Sequence, residues 1–248
     1  MFEVGEKVVI LKSDYPSLIG KTAIVMQNDV INGIKVKVSF DEKWQGYYLP
    51  SELAKYSDFI KNENTTLFVN LFGAPGAGKS TGATYVFSQL KLRGIDSEYI
   101  GEFAKDKCWE NNKFIFESPE NQFYIGAKQF YRINQVYGKV KVAVTDSPVF
   151  LNAFYNKSKY LGEEYNKVVL RLFNKFRNLN FYIERVKPYN RNGRIQSEEQ
   201  ATEIGSEIKE YIDKHNVPYI TVSGDENGYK KIFETVMNFI KEKDDSNR

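Results

Sequence analysis

Apolar and polar residues follow two different rhythms along the chain. Over residues 1–56 the apolar positions come in short β-rich runs, at 7–11, 22–26, 34–40 and 45–49. The third run alternates apolar and polar strictly, the spacing of a half-exposed strand. Asp14-Tyr15-Pro16-Ser17, Gly20-Lys21, Asn32-Gly33 and Asp41-Glu42 separate the runs with turn-forming residues. Four or five short strands in so few residues predict a small all-β barrel, because closure removes exposed edges. Residues 57–65 are polar and read as a linker. From residue 66 to 243 the rhythm becomes strand, helix, strand. Strands are predicted at 67–72, 97–101, 140–145, 180–185 and 219–222. Helices are predicted at 81–92, about 119–137, about 149–156, 162–177 and 226–242. One more helix opens at Ser197, where Ser197-Glu198-Glu199-Gln200 fits a capping box and Ala201, Ile204, Ile208, Tyr211 and Ile212 share one face. This alternation predicts an α/β domain, a parallel sheet with helices on both faces. Residues 244–248 form a tail expected to fray.

Between the first strand of the second region and its helix stands Gly73-Ala74-Pro75-Gly76-Ala77-Gly78-Lys79-Ser80. This is G-x-x-x-x-G-K-[ST] in the strand-to-helix context that makes the pattern a phosphate-binding loop, or P-loop. Its glycines let backbone N–H groups curl around phosphate oxygens, and the helix N-terminus adds partial positive charge at the same place. Lys79 can reach the β- and γ-phosphates and the Ser80 hydroxyl can ligate Mg²⁺, with Thr81 next in line. The expected cofactors are ATP and Mg²⁺.

Composition narrows the picture. Of 248 residues, 42% are hydrophobic, enough for a sizeable core. The net charge of +3 is too small to announce a nucleic-acid partner. Residues 1–60 hold seven Lys and no Arg against eight Asp/Glu, so the small region is near neutral, while basic residues cluster between Arg185 and Arg194. Cys108 and His215 are each the only residue of their type, which excludes an intramolecular disulfide and a Cys/His zinc site. Cys108 reads as a core or boundary residue, and His215 as a helix C-terminal residue complementing the macrodipole. No signal peptide or membrane-spanning run is visible, and a soluble, cytoplasmic protein is expected.

In open α/β sheets ligands sit at the carboxyl ends of the strands, so the polar residues there are weighed first. Asp146 closes the third strand and is expected to hold Mg²⁺ beside Ser80, with an N-cap for the next helix as the alternative. Glu102 closes the second strand and is the candidate general base, against the alternative of a solvated loop carboxylate; Asp106 is a weaker rival. The run from Arg185 to Gln196 is expected to act as a cationic lid. Arg191 and Arg194 are its first choices for phosphate contacts and Arg185 the next, the alternative being an ordinary solvated loop. The helix at 119–137 carries Gln122, Tyr124, Gln129, Tyr131 and Arg132, which suit a base-stacking pocket. In the competing reading Phe123, Ile125, Phe130 and Ile133 are core and the amides are surface.

Gly73 to Ser80, the stretch Glu98 to Asp106, Thr145-Asp146-Ser147-Pro148 and the stretch Arg185 to Gln196 together resemble P-loop kinases of the nucleoside/nucleotide kinase type. More closely, they resemble phage-encoded ATP-binding proteins related to the nicotinamide riboside kinase domain, a set that includes phage kinases acting on hydroxymethylated bases in DNA. The resemblance covers about 66–240. It implies transfer of the ATP γ-phosphoryl group to a nucleoside-like acceptor, free or as a base in DNA, in the host cytoplasm if the chain is phage-encoded. No Asn/Thr-Lys-x-Asp guanine-reading motif is present, and Ser147 follows Asp146 where a motor would carry a second acid. The N-terminal region lies outside this resemblance and is similar to SH3-like or KOW-type barrels, which leaves nucleic acid open as a partner. The rival from another class is a regulatory ATP-binding module whose nucleotide orders the basic loop.

Overall fold

Six consecutive buried residues, Leu67-Phe68-Val69-Asn70-Leu71-Phe72, set the architecture. A strand buried on both faces has to lie inside a sheet covered by helices on each side. A computed structural model describes residues 2–15, 18–29, 35–40, 44–59, 66–112, 114–189 and 197–246. In it this strand, β6 (Leu67–Phe72), is the centre of a parallel five-stranded sheet. The other strands are β7 (Ser97–Ile100), β8 (Val142–Thr145), β9 (Arg177–Glu184) and β10 (Ile220–Ser223), in the order β10-β9-β6-β8-β7. The helices are α2 (Lys79–Leu92), α3 (Phe103–Trp109), α4 (Phe114–Glu117), α5 (Gln122–Val136), α6 (Leu151–Phe154), α7 (Gly162–Asn174), α8 (Glu198–Lys214) and α9 (Glu226–Ser246).

The alternation along β6 sorts the helices into two layers. Leu67, Val69 and Leu71 join Val86 and Leu90 of α2 and Ile232, Val236 and Phe239 of α9. Phe68 and Phe72 point the other way, into a layer with Ile133 of α5, Phe173 of α7 and Ile208 and Ile212 of α8. Asn70 shares that second face. Its Nδ2 donates to Asn178 Oδ1 and Asn180 Oδ1 on β9, each at 2.9 Å. Partnered this way, a buried amide avoids the cost of an unmet polar group.

Residues 2–59 form a second, antiparallel sheet. Its strands are β1 (Lys7–Ile10), β2 (Thr22–Asp29), β3 (Lys35–Ser39), β4 (Gln45–Tyr48) and β5 (Leu53–Lys55), in the order β4-β3-β2-β1-β5, followed by a helical turn α1 (Tyr56–Phe59). Among the described residues the pairing runs from β4 at one end to β5 at the other. Val8, Ile10, Val25, Val36 and Val38 fill its own core. Val9 and Ala54 instead join the layer under α2 and α9. Tyr56 packs against Phe239 with ring centroids 5.4 Å apart, and the Gly20 turn approaches so closely that an added Cβ would stand 2.6 Å from Thr235 Oγ1. The two sheets therefore share α9 as a common wall. Phe239, fully buried in that wall, is expected to cost about 3–5 kcal/mol on truncation to Ala, read as a lower midpoint in chemical denaturation.

Some expectations shift. β9 begins at Arg177, three residues before the predicted strand, because the polar pair Arg177-Asn178 is buried. Asn178 Nδ2 donates to Phe173 O and Phe176 O, capping the end of α7 from inside the sheet. The start of the predicted helix at 119–137 is a 3-10 turn, Pro119–Asn121, ahead of α5. The capping box at Ser197 forms as expected: Gln200 N donates to Ser197 Oγ, and Ser197 N to Gln200 Oε1. His215 does end α8, but its ring packs edge-on against Tyr211 and Phe150, and burial lowers its pKa, which works against the charged form expected of a residue that complements the macrodipole. Residues 60–65 of the expected linker lie outside the described residues. No helix among the described residues is long and apolar enough to cross a membrane.

Candidate functional site

Parallel pairing brings five strand ends to one edge. Asn70 is level with Thr145 and Ile100 with Thr145, so Gly73, Glu102 and Asp146 follow their strands on the same side. At β6 the chain turns through Gly73, Gly76 and Gly78, with φ of +142°, +80° and +97°. L side chains rarely adopt these values, and the loop needs them to bend its N–H groups inward. Gly78 hands over to Lys79, the first residue of α2. Lys79 Nζ donates to Gly73 O at 2.9 Å and Ala74 O at 3.0 Å, lying across the cradle between Gly73 and Gly78. Ala74 and Ala77 are buried under the loop, Pro75 and Gly76 form its half-exposed crest, Ser80 is half-buried, and Thr81 is exposed on α2.

The carboxylates converge from the neighbouring strands. Asp146 is buried, 3% exposed; its Oδ2 accepts from Tyr99 Oη at 3.1 Å, while its Oδ1 has no hydrogen-bond partner among the described residues. Helix α6 begins at Leu151 with Phe150 before it, so Asp146 does not serve as its N-cap. Glu102 is half-buried at the N-terminus of α3. Burial pushes its carboxyl above the ordinary glutamate value; the Lys79 ammonium opposes the rise and the Asp146 charge adds to it. Glu102 thus feels the charges of both Lys79 and Asp146. Asp106, the weaker rival, is tied at 2.6 Å to Arg132 of α5.

Residues 68–227, well over half of the chain, match a family model described as an AAA domain. The chain belongs to the AAA domain family. The fold is also similar to the crystal structure of NadR protein in complex with NR, with a TM-score of 0.51 and 14% sequence identity over 70% of this chain and 49% of that one. This chain spans about half the length of that protein, and at such identity the likeness is one of fold alone. No curated protein matches the sequence.

Three residues surround the site without having been expected there. Tyr99 holds Asp146; the signal was available, since Tyr99 pairs with Val144, two residues before Asp146 on the same face of β8. Tyr229 of α9 closes the loop from behind, its hydroxyl bonding to Gly78 O and Gly224 O at 3.2 and 3.1 Å. Gly224 lets the chain after β10 touch the loop: an added Cβ would stand 2.4 Å from Ala77 O. Gly78→Ala would combine φ of +97° with a Cβ 2.3 Å from Tyr229 Oη. Strain of about 1–3 kcal/mol should weaken nucleotide binding by about 5- to 150-fold in titration calorimetry.

The expected base-stacking helix divides differently. Gln129 is buried, Gln122 Nε2 donates to Asn152 Oδ1, Tyr124 packs edge-on against Phe103, and Tyr131 is exposed. Of the expected core residues Ile125 and Ile133 are buried, whereas Phe123 is 60% exposed. Cys108 is half-buried on α3, and burial, with the Glu102 charge, pushes its thiol up. Arg185 is held against α8, donating to Thr202 Oγ1 at 2.9 Å and pairing with Glu198 at 3.3 Å. Arg191 and Arg194 lie outside the described residues.

Proposed function

We propose that the chain is an ATP- and Mg²⁺-dependent kinase that transfers the γ-phosphoryl group to a hydroxyl or phosphate of a nucleoside-like acceptor. One observation carries the reading: a half-buried carboxylate, Glu102, shares an electrostatic neighbourhood with the P-loop lysine and with Asp146. A binding loop alone needs no such group, whereas phosphoryl transfer to a hydroxyl uses one to take the proton. Lys79 and the loop N–H groups hold the phosphates. The orphaned, buried Asp146 Oδ1, together with the Ser80 hydroxyl, fits a Mg²⁺ held directly or through water. Bound there, the ion would supply positive charge to offset the negative charge that develops on the phosphoryl group. Glu102 accepts the acceptor's proton. Arg185, anchored on α8, holds the start of the basic segment in which Arg191 and Arg194 are proposed, on sequence grounds, to contact phosphate.

The small sheet is proposed to be an SH3-like barrel, and the protein to work in the cytoplasm, in a host cell if it is phage-encoded. A free nucleoside or nucleotide and a hydroxymethylated base in DNA are both candidate acceptors. A second reading, a regulatory ATP-binding module, is favoured by one feature: α9 touches the P-loop through Tyr229 and the small sheet through Phe239. The test is γ-phosphate transfer from labelled ATP to nucleosides, nucleoside monophosphates, nicotinamide riboside, and DNA with or without hydroxymethylated pyrimidines. Labelling of one class supports the kinase. Tight ATP binding with slow hydrolysis indifferent to every acceptor supports the module.

A further inference from the structure

Beyond Ile100 and Thr145 the strands β7 and β8 stop pairing, and the two acids stand on chain segments that the sheet no longer holds together. Thr145 spans part of the gap: its Oγ1 donates to Ile100 O at 2.9 Å and accepts from Ser147 N at 3.1 Å. A single side chain spans the rest. Gln129, on the inner face of α5 and 1% exposed, accepts from Phe103 N through Oε1 at 2.8 Å. Its Nε2 donates to Ser147 O at 3.0 Å and reaches Gly101 O at 3.4 Å. Gly101 and Phe103 flank Glu102, and Ser147 follows Asp146. One buried amide therefore grips the peptide groups on both sides of the candidate base and the carbonyl of the residue that follows the candidate metal-holding acid.

We infer that Gln129 is a positioning residue that fixes the Glu102 segment relative to the Asp146 segment, an inference that rests on the kinase reading for its effect on rate. A glutamine suits the task because it offers an acceptor and two donors from one rigid plane. A helix-borne side chain also carries the rigidity of α5 to two segments that have no strand partner there. The P-loop hangs from β6 and makes none of these bonds.

The test is Gln129→Met, similar in length but unable to make the three bonds, assayed beside the wild type. With a productive acceptor, kcat is expected to fall about 10–100-fold, the scale of an ångström-level misplacement. The dissociation constant for ATP should stay within about twofold, because the cradle is untouched. Without any acceptor, nitrogen-15 amide spectra should show resonances of Gly101–Phe103 and of Asp146–Ser147 moving together while those of Gly73–Ser80 stay in place. Should Gln129→Met fold poorly, Gln129→Asn, which keeps an amide but is one methylene too short to reach all three partners, carries the same comparison. Unchanged kcat and spectra in a folded variant overturn the proposal. So does an equal loss of kcat and ATP affinity with all three segments shifting, the mark of general damage. If the wild type binds ATP yet transfers to nothing, the kinase reading falls, and the amide spectra still decide whether Gln129 links the two segments.

Discussion

Lys79→Ala should abolish phosphoryl transfer, lowering the single-turnover rate by about 10³-fold or more while the fold persists. Two effects add. The ammonium that would sit against the phosphates is lost, and so is the positive charge that opposes the rise in the Glu102 pKa. With that charge gone, the Glu102 carboxyl moves still further above the ordinary glutamate value. The acid limb of any residual activity should therefore shift to higher pH than in the wild type, a displacement that a pH–rate profile reads directly. Stability should change modestly, since Lys79 contributes bonds to two loop carbonyls of the partly exposed cradle. At about 0.5–1.5 kcal/mol per hydrogen bond, the two bonds amount to about 1–3 kcal/mol, and the melting temperature should fall by no more than about 12 °C. A much larger fall would mean that Lys79 holds the loop together more than it serves a ligand.

Glu102→Gln should lower kcat about 10²–10⁴-fold, the usual contribution of a general base, and leave ATP affinity nearly unchanged. It should also stabilise the protein at neutral pH. The sign follows from the direction of the shift. Burial raises the folded-state pKa of Glu102 above its unfolded value, so between the two the folded protein binds more protons than the unfolded chain. Stability is then lost as pH rises through that window, because the carboxyl must ionise in a site that disfavours the charge. A neutral glutamine escapes this cost. Melting curves of the two proteins should coincide below the ordinary glutamate pKa and separate above it, with the variant higher. Loss of activity together with such a gain is the pattern of a site that holds a strained charge for function. A variant that is inactive and also less stable at pH 7 would argue that Glu102 is structural.

The sequence carried the scaffold of this site more clearly than its supports. The apolar run of β6, the glycines after it and the amphipathic stripe of α8 are local signals, each legible because one strand or helix decides it. Asp146 was legible as an acid closing a β-branched strand. Gln129 reads from the sequence either as part of a stacking pocket or as a surface amide, because an amide on a helix gives no local sign of whether it faces a base, solvent or two loop backbones. Its role depends on where α5 lies against β7 and β8. Tyr229 lies about 150 residues from the loop it touches, so only the packing of α9 under β6 brings it there. The early start of β9 was hidden for a related reason. Arg177 and Asn178 look like surface residues until the end of α7 supplies carbonyls for the amide to cap.

Helix α9 has a consequence for how the protein is made. It follows every other described element in chain order, yet it supplies Ile232, Val236 and Phe239 to the layer beneath β6 and Tyr229 to the back of the P-loop. While the chain is being synthesised, both sheets emerge with that shared wall missing, and apolar faces such as Val9, Val69 and Val86 wait uncovered. Domains usually fold from the N-terminal end as they appear. Here the two sheets can reach their final packing only when the last helix has left the ribosome, so ability to grip a nucleotide arrives late. A nascent chain stalled before α9 would be a substrate for chaperones before it could bind a nucleotide.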